Sequence, residues 1–175
     1  MSDTISVLIS EEQIDKRIQE MADQLSKDYR GRSVHMICVL KGGVFFMTEL
    51  AKKMRIPVTL DFLSVSSYGN STDSSGKITF GKDLDEPIDG RNVILVEDIL
   101  DSGRTLSYVI EILKERNPQS LKVVTLLDKP DRRVVDVDVD MTGFAIPDEF
   151  VVGYGLDYAQ KYRNLPYIGV ITSAD

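Results

Sequence analysis

Two carboxylates arriving together at the end of an apolar, β-branched run are the first sign of chemistry in this 175-residue chain. Val93-Ile-Leu-Val is followed by Glu97 and Asp98, and then by Asp101-Ser-Gly-Arg-Thr105, which leads into a helical pattern. Where a strand turns into a helix, backbone N–H groups point outward and the helix dipole favours an anion. Gly103 allows close backbone approach, Ser102 and Thr105 offer hydroxyl donors, and Arg104 adds charge. The turn reads as a phosphate cradle. It is not the nucleotide P-loop, because the chain contains no G-x-x-x-x-G-K-[ST]. Capping alone accounts for Asp, Ser and Thr at a helix start, but it explains poorly two adjacent acids at the strand end. Side chains alternate across a strand, so Glu97 and Asp98 point differently and play different parts. The matching ligand carries a phosphate together with a cis-diol or a metal, and a ribose 5-phosphate has both features.

The elements that must position this turn alternate along the chain. Ser10-Glu-Glu-Gln13 is a capping-box pattern opening a helix with Ile14, Ile18, Met21, Ala22 and Leu25 at helical spacing, closed by Gly31. Val34-His-Met-Ile-Cys-Val-Leu40 is a continuous apolar run of buried-strand length. Lys41-Gly-Gly43 makes a turn, residues 44–54 a helix halted before Pro57, and residues 58–65 a strand. Further strands are expected at 92–97 and 121–127, a helix at 105–115, and short strands near 150–154 and 167–171. Strands alternating with single helices imply right-handed crossovers and an α/β fold with a mainly parallel twisted sheet flanked by helices. Ligands on such sheets bind at the carboxyl ends of the strands. Residues 66–77 break the rhythm: they are rich in Ser, Gly, Asn and Asp, and read either as a surface loop or as an active-site lid.

Composition narrows the field. The length fits one domain, residues 1–175, with 42% hydrophobic and 28% charged residues. A net charge of −7 argues against nucleic acid as a partner, because phosphate backbones demand a basic footprint. A small anion needs only local donors, and a divalent cation can offset the field. No apolar run reaches membrane-helix length and the N-terminus has no secretory pattern, so a cytoplasmic location without membrane contact is expected. The single cysteine, Cys38, excludes an internal disulfide and reads as a small buried residue. The single histidine, His35, sits inside the apolar run and reads as structural, which leaves a Ser-His-Asp mechanism without a base.

The segment from Val93 to Thr105 resembles the signature of the type I phosphoribosyltransferases, in which two acids follow a hydrophobic strand and a short 5-phosphate loop follows them. Further matches to the hypoxanthine-guanine branch lie at Leu40-Lys-Gly-Gly43, Leu126-Leu-Asp-Lys-Pro130 and Pro147-Asp-Glu-Phe-Val-Val-Gly-Tyr-Gly-Leu-Asp-Tyr158, so the resemblance covers nearly the whole chain. It implies the fold of that family, with a small hood from the N- and C-terminal segments over the strand ends, residues from about 145 to 175 contributing. It also implies transfer of a phosphoribosyl group from phosphoribosyl pyrophosphate to N9 of hypoxanthine or guanine, giving the nucleoside monophosphate (IMP or GMP) and pyrophosphate, with magnesium. By resemblance, Lys41, Gly42, Gly43 and Arg163 hold pyrophosphate, often with a non-proline cis peptide before the lysine. Glu97 and Asp98 hold the ribose hydroxyls directly or through metal, and Ser102, Gly103, Arg104 and Thr105 hold the 5-phosphate. Asp101 accepts a proton near purine N7. Lys129 donates to the purine O6, Phe150 stacks on the ring, and Val151 reads the base edge through its backbone. Asp157 joins Glu97 and Asp98 as a metal ligand. Ser67 and Tyr68 ride on a flexible lid, residues 66–80. The resemblance also implies a homo-oligomer, dimer or tetramer. The competing readings are transfer to xanthine or adenine, an RNA-binding regulator of the same fold, and a nucleotide-binding module without turnover.

Overall fold

The core is built on strands whose two faces are both apolar. In the computed structural model, which describes residues 3–67 and 78–172, β2 (Val34–Val39) is buried at every position. Its alternate residues divide between two hydrophobic clusters: Met36 and Cys38 belong to one, Ile37 and Val39 to the other. The same parity holds in β5 (Asn92–Leu100), with Ile94 and Val96 on the first face and Val93 and Leu95 on the second. A strand covered on both sides has no polar face to alternate, so its sequence is a continuous apolar run.

Helices α1 (Glu11–Asp28) and α2 (Val44–Lys53) cover the first face, and α3 (Arg104–Glu115) covers the second. The capping box of α1 is formed as expected: the Gln13 N–H donates to Ser10 Oγ at 3.2 Å, and the Ser10 N–H donates to Gln13 Oε1 at 2.8 Å. Ile14, Ile18, Met21, Ala22 and Leu25 are all fully buried along one stripe of α1, each of the larger ones contributing about 1.5–3 kcal/mol of burial. On α3, Leu106, Val109, Ile110 and Leu113 make the equivalent stripe.

Six strands form the main sheet. With β3 (Val58–Ser67), β4 (Ile78–Lys82), β6 (Ser120–Asp128) and β7 (Met141–Ala145), the order is β4-β3-β2-β5-β6-β7, parallel throughout except for the antiparallel β3–β4 pair. A second, antiparallel sheet joins β1 (Thr4–Ile9), β9 (Ile168–Thr172) and β8 (Val151–Val152), so both chain ends contribute to the hood.

The structure departs from the expected elements at several places. β5 runs three residues beyond 97, so Asp98 lies within the strand. The strand expected near 150–154 shrinks to Val151–Val152, because Gly153 and Leu156 close a tight turn. Residues 66–67 and 78–80, expected within the lid, are paired strand ends of β3 and β4. Tyr68 and the rest of the lid segment lie outside the described residues. Strands β1, β4 and β7 were not legible because each is short, lies at a sheet edge or in the small hood sheet, and is only partly buried.

One buried charge ties the β4–β5 connection to the sheet. Asp61 on β3 is 2% exposed and accepts from the backbone N–H groups of Phe62, Asp85 and Glu86 at 2.8–3.3 Å. Burial pushes its carboxyl upward, but those donors and the Lys82 ammonium outweigh it and hold it below the ordinary carboxylate range. Neighbouring His35 is kept neutral-leaning by burial and by Arg91, with Nδ1 2.7 Å from Thr59 Oγ1. Both residues are structural, as expected for His35. Because the Asp61 pKa is depressed, its contribution to stability is present above the unfolded carboxylate pKa and is lost as the pH falls through the folded value. Replacing Asp61 with Ala should destabilise the chain by about 2–3 kcal/mol at neutral pH in urea unfolding. The wild-type advantage should shrink as the pH is lowered through the acid range.

Candidate active site

At the carboxyl end of β5 the two acids separate as strand alternation requires. Glu97 is buried at 9% exposure, and Asp98 is half-buried. The Asp98 N–H donates to Glu97 Oε1 at 3.1 Å, and the Ile99 N–H donates to Asp98 Oδ1 at 2.7 Å. Burial, then the adjacent Asp98 charge, raises the Glu97 carboxyl well above its ordinary range. A cation placed at this pair would relieve both effects.

The Asp98 carboxylate faces the turn after β2. A Cβ at Gly42 would overlap it, so a side chain there would have to push the Asp98 carboxylate aside. A Cβ at Gly43 would lie 2.9 Å from Cys38 Sγ. The Leu40–Lys41 peptide is cis. Beside these residues, Val39, Val65, Glu97, Ile99, Leu100, Asp101, Ser102, Gly103, Thr105 and Leu106 line a cleft of about 230 Å³. Its floor is the N-terminus of α3, whose first turn carries no acid to compensate the positive end of the dipole. Gly103 adopts φ +86°, a left-handed conformation, and its missing side chain leaves room for Val135 O. Ser102 Oγ accepts from the Arg104 N–H at 3.4 Å, while Arg104 and Thr105 are exposed.

Asp101 is half-exposed, and Arg132 Nε donates to its Oδ1 at 3.2 Å. Lys129 is buried at 8% exposure and its N–H donates to Leu100 O at 3.0 Å, which places it beside Asp101.

A second group of candidates meets where the hood docks on the turn after β2. Lys41 Nζ donates to Gln160 Oε1 at 3.2 Å, and Arg163 Nη2 lies 3.4 Å from the same oxygen. Arg163 also pairs with Asp157 Oδ1 at 3.2 Å and donates to Gly155 O at 2.6 Å. The Gln160 N–H donates to Asp157 Oδ2 at 2.8 Å. Ala159, Gln160 and Tyr162 all have left-handed φ, a strained run of the kind that clusters at ligand clamps. Arg163 Nε is buried without a hydrogen-bond partner among the described residues. A buried, unsatisfied guanidinium N–H is costly unless a ligand receives it. Lys41, Asp157 and Arg163 are thus brought together.

Phe150 and Val151 stand somewhat apart. Phe150 is 53% exposed and meets Tyr158 edge-on at 5.7 Å, while Val151 is buried in β8. No hydrogen bond or ion pair among the described residues joins either of them to Lys129; the neighbouring Asp148 carboxylate lies 3.8 Å from Arg132 Nη1. Gln160, Arg132 and Arg133 were not among the expected site residues. Their only signal was proximity in sequence to Lys129 and Arg163. Among the described residues no group of three or more His, Cys, Asp or Glu could hold a metal on its own.

Fold and site together define an α/β protein whose candidate site lies at the carboxyl ends of parallel strands. Residues 9–159 match the phosphoribosyl transferase domain, and the chain belongs to that family. It is 51% identical over 170 residues to the bifunctional protein TilS/HprT of Listeria monocytogenes serotype 4b (strain F2365); the match takes in 97% of this chain but only 26% of that protein's length, about a quarter. It is also 51% identical over 172 residues to the hypoxanthine-guanine phosphoribosyltransferase of Bacillus subtilis (strain 168), covering 98% of this chain and 96% of that one. Among solved structures, a hypoxanthine-guanine phosphoribosyltransferase from Bacillus anthracis str. 'Ames Ancestor' superposes with a TM-score of 0.91 at 48% identity, covering 95% of this chain and 98% of the other. The expected type I phosphoribosyltransferase fold is borne out.

Cys38 is a buried free thiol. Burial, and then the charges of Glu97 and Asp98, push its thiol up to about 12, so the thiolate is scarce at neutral pH. Ellman's reagent should leave Cys38 untouched in the folded chain at about pH 8 and titrate one thiol after denaturation. Rapid labelling of the folded chain would contradict this burial.

Proposed function

We propose that this chain transfers the 5-phosphoribosyl group from phosphoribosyl pyrophosphate to N9 of a 6-oxopurine, hypoxanthine or guanine, releasing pyrophosphate. The observation that carries the reading is one juxtaposition: an anion cradle at Asp101–Thr105, paired acids at 97 and 98, and the Lys41–Gln160–Arg163 cluster, all at neighbouring strand ends. The named activities of the 51%-identical relatives point the same way.

In this reading the cradle fixes the 5-phosphate through backbone N–H groups and the hydroxyls of Ser102 and Thr105. Glu97 and Asp98 orient the ribose hydroxyls. Lys41 and the unpartnered Arg163 Nε receive the departing pyrophosphate, lowering the energy of charge that develops on it. The residues present fit magnesium: Asp157 would hold an ion carried on the pyrophosphate, Glu97 and Asp98 would meet the ribose hydroxyls directly or through a second ion, and a bound cation would offset the pyrophosphate charge. As the ribose carbon loses pyrophosphate it takes on oxocarbenium character. Asp101, held at the strand end, accepts the purine proton at N7 while N9 forms the new bond. Lys129 presents a fixed donor to O6, which favours 6-oxopurines over adenine, whose 6-amino group is itself a donor. The homo-oligomer and the cytoplasmic setting belong to the same reading. No described helix is long and apolar enough to cross a membrane.

A spectrophotometric assay with phosphoribosyl pyrophosphate, magnesium and each of hypoxanthine, guanine, xanthine and adenine tests the proposal. Turnover with hypoxanthine or guanine and little with adenine is expected; adenine as the best acceptor, or no turnover with any base, would overturn it. Asp101→Asn should lower kcat by about 10²–10⁴-fold with a melting temperature close to wild type. Near-normal kcat in that variant would remove Asp101 from proton transfer.

A further inference from the structure

The chain after β6 grips the end of β5 at three successive residues. The Lys129 N–H donates to Leu100 O at 3.0 Å, Arg133 Nε to Asp101 O at 3.1 Å, and the Val134 and Val135 N–H groups to Ser102 O at 2.9 and 3.0 Å. Arg133 also pairs with Asp128. The backbone of Asp101 is therefore fixed on all sides. Its side chain is not: the carboxylate is 48% exposed, and Arg132 Nε, 3.2 Å from Oδ1, is its one ion-pair partner among the described residues.

We propose that Arg132 is a positioning residue that holds the Asp101 carboxylate by one oxygen and orients it, so that its second oxygen faces the purine. The inference rests on the reading of Asp101 as the proton acceptor.

Three observations support it. The pair is exposed on both sides, 54% and 48%, and such pairs contribute little to stability. An arginine placed here is therefore not explained by folding. Next, the contact is one-sided. Arg132 occupies Oδ1, and among the described residues Oδ2 accepts no hydrogen bond. An ionised carboxylate only accepts, so the free oxygen is the one that can take a proton. Finally, Arg132 is itself aimed. It closes the 3₁₀ turn Pro130–Arg132, where proline fixes the first φ, and its N–H donates to Lys129 O at 3.1 Å. Its Nη1 reaches towards Asp148 Oδ2 at 3.8 Å. The planar guanidinium thus lies between the Asp101 carboxylate and the stretch that carries Phe150, with a fixed fork that a flexible ammonium lacks.

The step balances without any further reactant. N9 forms its bond to the ribose carbon, the bond from that carbon to pyrophosphate breaks with its electron pair leaving on pyrophosphate, and the N7 proton passes to Asp101 Oδ2. Arg132 stays charged on Oδ1 throughout. Misplacing a reacting group by about 1 Å can cost about 10²-fold, so loss of Arg132 should act on turnover far more than on binding of the donor.

The test compares Arg132→Gln, Arg132→Lys, Asp101→Asn and the Arg132→Gln/Asp101→Asn double variant, with kcat, the KM for phosphoribosyl pyrophosphate, and melting temperature. Arg132→Gln should lower kcat about 10- to 100-fold with the KM within about twofold and the melting temperature unchanged. Arg132→Lys should recover part of the loss, because an ammonium supplies the charge without the fork. In the double variant the added Arg132→Gln should cost nothing beyond Asp101→Asn alone, since residues that act as one unit are not additive. A normal kcat in Arg132→Gln beside a crippled Asp101→Asn overturns the inference and leaves the role of Asp101 standing. So does a full extra loss in the double variant, which would mean that Arg132 acts on substrate directly. A near-normal Asp101→Asn overturns the underlying reading instead.

Discussion

Gly42 is approached closely from two sides, at its Cα by Asp98 and at its carbonyl oxygen by Gly155. A Cβ there would overlap the Asp98 carboxylate, and a Cβ on Gly155 would overlap Gly42 O. This joint brings three separate pieces of chain into one site: the turn after β2, the acidic end of β5, and the hood. The remaining contacts fall around it. Lys41 and Arg163 can share Gln160 only because the hood backbone sits directly on the turn. Asp98 can face the turn, while Glu97 is buried, only because β5 continues as strand past both acids.

A division of labour follows from burial. Groups that set charge are enclosed: Glu97, Lys129 and the Nε of Arg163 are all buried. Other candidate groups are open, among them Lys41, Arg104, Thr105 and Phe150. Desolvated charges act strongly on whatever enters the cleft. Exposed ones are well placed to capture and release it. Asp101 stands between these extremes, half-exposed and paired with Arg132.

Much of the fold was legible because the chain obeys local rules. The Ser10–Gln13 capping box, the all-buried run of β2 and the stripe along α1 each repeat one physical requirement many times. Edge strands lack that redundancy. β4 is five residues long, alternates intermediate and exposed positions, and contains Gly81, whose missing Cβ makes room for Ser64 Oγ. Of the site, the residues within contiguous motifs were readable. Gln160, Arg132 and Arg133 were not, because their partners lie 119, 31 and 32 residues away in sequence. Only the completed crossover brings them together. Phe150 illustrates the opposite limit: the resemblance casts it as the ring that stacks on the base, but its distance from Lys129 is set by the hood and not by any motif.

Calorimetric titration of phosphoribosyl pyrophosphate with magnesium into the wild-type chain and into Gly42→Ala tests the joint most directly. The account predicts one saturable site in the wild type, and affinity about 10- to 100-fold weaker in the variant, the loss expected when a methyl is forced into a close-packed contact, with far-UV circular dichroism unchanged. Equal affinity in the two proteins would contradict it.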